Sequence, residues 1–137
     1  MESGRITLTV LEQAPHLAEG LRALRKLRAA TEVGMTRGDY ARQLVEAKAV
    51  IDEAVRASTD ATGKELQTAL VAILQIYLDA LTAWRMIDAG ISLPPKEFER
   101  FKRAYHVFGV KFTKEGTLGA IWFVGKYRLE QLGQFVQ

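Results

Sequence analysis

The sequence predicts an all-α fold, an up-down bundle of four main helices plus one short helix, in a single domain over residues 1–137. Three observations predict it. Between Thr62 and Gly90, Leu66, Ala69, Leu70, Ile73, Leu74, Ile76, Tyr77, Ala80, Leu81, Trp84 and Ile87 share an arc of roughly 160° when the segment is wound as a helix. Tyr40, Leu44, Ala47, Ile51 and Ala54 recur at 4-3-4-3 spacing, the seam of an antiparallel helix pair. The links between such segments are short, which makes helices that are neighbours in sequence antiparallel neighbours in space.

Each element has its own signal. Residues 1–14 form an extended or irregular lead-in, with Ile6, Leu8 and Val10 alternating with Thr7 and Thr9. Pro15 suits the first position of a helix, and Leu17, Leu21, Leu24 and Leu27 follow on one face up to about Ala30. Gly34 is the turn residue after it. Thr36 is a good N-cap for the next helix, with Asp39 near its positive end and Arg42/Glu46, Lys48/Asp52 and Asp52/Arg56 as exposed pairs.

The long helix is opened by Thr62 and Glu65, spaced as a capping box, and closed by Gly90. After Pro94 and Pro95, a short helix to about Phe108 carries Phe98, Phe101, Tyr105 and Phe108 on one stripe. A last helix, from Thr113 or Gly116 to Phe135, places Leu118, Ile121, Trp122, Gly125, Leu129, Leu132 and Val136 on one side. The competing reading of residues 107–124 is a hairpin turning at Glu115-Gly116, but the helical register holds for too long to be a strand pair.

Composition sets the limits on function. A chain of 137 residues, 48% hydrophobic and 26% charged, can bury roughly 70% of its unfolded surface. It has no cysteine, which excludes disulfides, thiolate metal sites and a cysteine nucleophile. The longest apolar run, Ala69 to Leu74, is far short of the ~18 residues that read as a membrane span. Met1 to Arg5 precede no apolar export core, so the sequence as it stands reads as cytoplasmic; a signal removed from in front of it would make it exported. The net charge of +3 is spread as two basic ends around an acidic middle, well below the dense basic stripe of nucleic-acid binding proteins.

Four stretches carry a resemblance. Leu24-Arg25-Lys26-Leu27-Arg28-Ala29-Ala30-Thr31-Glu32-Val33-Gly34 is the first. Asp39-Tyr40 with Glu46-Ala47-Lys48-Ala49-Val50-Ile51-Asp52-Glu53-Ala54 is the second. Ala69-Leu70 with Tyr77-Leu78-Asp79-Ala80-Leu81-Thr82-Ala83-Trp84 is the third, and Ala120-Ile121-Trp122 with Leu129 and Leu132 the fourth. In this order they resemble the helices of a loosely defined group of bacterial proteins of unknown function, many of them exported. The resemblance implies an α-helical fold and an exported origin. It supplies no activity and no site residues.

Few residues invite a chemical role. Tyr77 and Trp84, seven apart, share the apolar face of the long helix, and with Asp79 they are candidates to line a small-molecule pocket. Core packing is the plainer role for the two aromatics, and solvation or hydrogen bonding for Asp79, which has no second carboxylate or histidine to work with. His16 and His106 lack any metal-binding spacing, so neither a metal nor another cofactor is expected. Arg22, Arg25, Lys26 and Arg28, and Lys96, Arg100, Lys102 and Arg103, read as solvated faces diluted by glutamates. The anomaly is Phe123 and Tyr127, with Val124 nearby, on the far side of the last helix. Two apolar faces place that helix either at the centre of the bundle or against a protein partner, self-association included. The expectation is therefore a non-catalytic interaction or structural module.

Overall fold

A computed structural model of the chain describes residues 15–57, 61–92, 94–105 and 114–134. Five helices make up these residues: α1 (Pro15–Val33), α2 (Arg37–Ala57), α3 (Ala61–Asp88), α4 (Pro95–Tyr105) and α5 (Lys114–Gln134). Helices α1, α2, α3 and α5 form the bundle: α2 packs against α1 and α3, and α5 against α3 and α1. Short α4 lies outside them and touches α5. The expected all-α bundle of four main helices and a short one is what the chain forms. The proposed lead-in at 1–14, His106, Phe108, Phe112 and Val136 lie outside the described residues.

The stripes read from the sequence become the core. Leu17, Leu21, Leu24 and Leu27 of α1 are buried, as are all five seam residues of α2 from Tyr40 to Ala54. From α3 come Leu66, Leu70, Ile73, Leu74, Tyr77, Ala80, Leu81 and Trp84, and from α5 Leu118, Ile121, Leu129 and Leu132. Each such side chain stabilises the fold by about 1.5–3 kcal/mol through removal of apolar surface from water. By length and apolar content Gly63–Asp88 could cross a membrane, but half of that stretch is buried inside the bundle, where it serves as the central packing element.

Helix ends follow local chemistry. The Asp39 amide donates to Thr36 Oγ at 3.1 Å, the N-cap expected at α2. At the other end of α3, Gly90 adopts φ +69°, where a side chain would be strained. The Gly90 amide donates to the Ile87 carbonyl and the Ile91 amide to that of Met86, the paired bonds of a Schellman ending. The start of α3 differs from expectation. Ala61 is already helical, so Thr62 falls inside the helix and not before it.

Of the expected exposed pairs on α2, Lys48–Asp52 forms at 2.7 Å. Arg42 instead turns to Asp39, also at 2.7 Å, and Arg56 to Glu53. Ionic contacts also tie helices together at the surface: Arg37 to Asp88 at 3.0 Å joins α2 to α3. Arg28–Glu130 (3.5 Å) and Lys126–Glu32 (3.3 Å) join α1 to α5.

Candidate functional site

The most developed polar site lies between α3 and α4, centred on Asp79. Its carboxylate is only 3% exposed. Arg100 donates to it twice, from one guanidinium nitrogen to Oδ2 at 2.8 Å and from the other to Oδ1 at 3.1 Å. The Tyr105 hydroxyl donates to Oδ2, and Gln75, one turn back on α3, donates to Oδ1 at 3.1 Å. Arg100 is itself held by Glu97 at 2.8 Å and by the ring of Phe101, 4.7 Å from the guanidinium carbon. Such two-pronged guanidinium–carboxylate pairing is both strong and specific in geometry.

The electrostatics follow from these contacts. Burial raises the Asp79 pKa, but hydrogen bonds from Arg100, Tyr105 and Gln75, with the Arg100 charge, outweigh it and leave the carboxyl below its ordinary value. Tyr105 is raised, by burial first and then by its bond to the Asp79 carboxylate. Asp79 is therefore an anion at neutral pH with both oxygens engaged. Chemically it is a fastener for α4, and a general base would need a free lone pair facing a substrate.

Asp79 is thus hydrogen-bonded, one of the two plain roles expected for it, whereas Arg100, expected on a solvated face, is paired with it. The partners came from α4, 21 and 26 residues further along the chain. Ala83, one turn from Asp79, is fully buried as well, so α4 covers a flank of α3 that its apolar arc does not include.

Tyr77, Asp79 and Trp84 do not converge on one space. Two residues along a helix turn the side chain by about 200°, so Tyr77 and Asp79 leave α3 on opposite sides. Trp84 packs with Tyr40 and Trp122, ring centres 5.6–6.0 Å apart across the three pairs. The Trp122 indole N–H donates to the Tyr40 hydroxyl at 3.1 Å, and that hydroxyl donates to the Tyr77 carbonyl at 2.7 Å. This chain of bonds links α5, α2 and α3 through the core. Burial drives the Tyr40 pKa upward, so it remains a neutral donor.

Tyr77 is held against Gly125 of α5. A Cβ at position 125 would lie 2.9 Å from the Tyr77 ring, so only glycine lets the two helices meet here. The phenol is fully buried and, among the described residues, its hydroxyl has no hydrogen-bond partner; burial pushes its pKa up to about 12. An orphaned buried hydroxyl carries an unmet desolvation cost of about 1–3 kcal/mol. Tyr77→Phe is accordingly expected to leave stability unchanged or raise it by up to about 1 kcal/mol, as read from urea unfolding. A loss above that size would mean that the hydroxyl is bonded in solution.

The last helix keeps its second apolar face in the open. Phe123 is 69% and Tyr127 53% exposed, one turn apart on the outside of α5. Val124 is half-buried at the edge of the core. Among the described residues nothing buries these two aromatics. Among the described residues no group of three potential metal-ligating side chains comes together. Comparison of the chain with protein-family models, with curated proteins and with solved structures yields no match.

Proposed function

We propose that this protein is a non-catalytic helical association module that pairs with a second copy of itself through the outer face of α5. The observation that carries the reading is the exposed Phe123–Tyr127 pair, two large aromatic side chains one turn apart on the outside of one helix. Gly119 lies one turn before Phe123, and a Cβ there would meet nothing within 4 Å. Among the described residues no packing calls for glycine at that position, and in a helix it costs about 1 kcal/mol relative to alanine. A ring from a facing helix gives it a use.

Two copies of α5 crossing antiparallel about a twofold axis set Phe123 of one against Tyr127 of the other, with the Gly119 notch flanking the pair. Such self-complementary contacts are the commonest way soluble chains assemble. The closed Asp79 cluster and the filled space around Tyr77 and Trp84 support a role without catalysis and without a small ligand.

Sedimentation velocity across micromolar to millimolar concentration tests the pairing. The expected result is a concentration-dependent dimer, with Phe123→Ser and Tyr127→Ser each weakening it at least about tenfold while the helical circular dichroism is unchanged. A wild-type chain that stays monomeric over the whole range would overturn the proposal.

A further inference from the structure

The geometry points to α4 being a latched strap, a segment that opens from the bundle on its own while α1, α2, α3 and α5 stay folded. At 11 residues it is the shortest helix, below the roughly 12–15 residues at which an isolated helix becomes even marginally stable in water. It therefore persists only while docked. Its seat is small: Phe101 and Tyr105 are buried, Phe98 is half-buried, and its outer side, with Lys96, Glu99 and Arg103, is exposed. Most of the core comes from the other four helices, and α4 adds Phe101 and Tyr105 at its edge.

The fastening is concentrated at one point. Among the described residues, the side-chain hydrogen bonds that join α4 to the bundle all end on Asp79, two from Arg100 and one from Tyr105. These residues sit in the second half of α4. At its other end come the left-handed turn at Gly90 and the stiff Pro94-Pro95 pair, a hinge for a rigid segment. A helix hinged at one end, and held by one polar cluster and a small apolar seat, has two positions, closed and open. The open position uncovers the Asp79 carboxylate with Gln75 and the apolar seat of Phe101, and it frees a cationic helix with an aromatic stripe. Those two surfaces are complementary, which makes the closed state the resting one. Low local stability of this kind marks elements that move while the rest of a domain holds.

Hydrogen–deuterium exchange on the full chain, read by peptide mass, tests the strap. In the wild-type protein the amides of residues 95–105 are expected to exchange at least about tenfold faster than those at the centres of α1, α2, α3 and α5. Arg100→Gln should accelerate residues 95–105 by about a further tenfold, so that they stay ahead of the other helices. Tyr105→Phe, which removes one hydroxyl and leaves the ring in place, should act in the same direction by about threefold. Exchange of α4 only at the rate of the whole bundle would overturn the inference. So would an Arg100→Gln variant in which residues 95–105 exchange no faster than in the wild type.

Discussion

Trp84→Ala is expected to destabilise the protein by about 3–5 kcal/mol and to lower Tm by at least about 10 °C. The indole is 5% exposed and packs against Tyr40 from α2 and Trp122 from α5, so its removal opens a cavity where three helices meet. Neighbouring side chains are poorly placed to collapse into that cavity. Tyr40 is pinned by two hydrogen bonds, one accepted from Trp122 and one donated to the Tyr77 carbonyl. Trp84→Phe retains part of the contact and should cost about half as much. Thermal melting followed by circular dichroism measures both, and an unchanged Tm in the alanine variant would remove Trp84 from the core.

The same residues show what could be read before any coordinates. The α2 seam was fully legible because every position at 4-3-4-3 spacing faces one direction, and all five residues are buried. Leucine spacing did the same for α1. Helix existence was legible wherever a 3.6-residue period ran for several turns, including Lys114–Gln134, where a hairpin competed for part of the span.

The partners of Asp79 on α4 were not legible. Its helix position belongs to the polar arc, and periodicity assigns a residue to a face without saying which later helix will cover that face. Arg100 read as one more solvated cation for the same reason, since an ion pair across 21 residues leaves no local pattern. The hint available was Ala83 beside it, a small residue where a second helix can come close. Phe123 and Tyr127 were legible as an anomaly because two apolar stripes on one helix exceed what a single core can absorb. Which way they faced depended on the placement of α5 between α1 and α3.

Arg100→Met is expected to cost about 2–3 kcal/mol in urea unfolding at pH 7, more than Asp79→Asn at about 1 kcal/mol. The asymmetry follows from exposure. The Arg100 side chain is 43% exposed, so the attraction itself is screened and worth only about 1 kcal/mol. Asp79 is 4% exposed at its side chain, and without Arg100 it is a buried anion left with Tyr105 and Gln75. Asparagine at 79 removes that anion, so the double variant should be more stable than Arg100→Met alone. Adding the two single effects would predict the opposite order.

The pH dependence gives a second reading of the same contact. The folded Asp79 pKa lies below its ordinary 3.8, so its contribution is fully present above that value and is lost as pH falls through the lower, folded one. The deficit of Asp79→Asn should therefore hold from pH 7 to 5 and close below about pH 4. Losing the Arg100 charge leaves burial to raise the carboxyl, so the deficit of Arg100→Met should begin to close at a higher pH than that of Asp79→Asn. A deficit that stays level through the acid range would remove Asp79 as its source. There is also a ceiling on the cost. Once α4 lifts, the stranded carboxylate reaches water, so Arg100→Met can destabilise the chain by no more than the free energy with which α4 docks. A cost near zero at pH 7, together with fast exchange of residues 95–105, would place that docking energy within thermal reach.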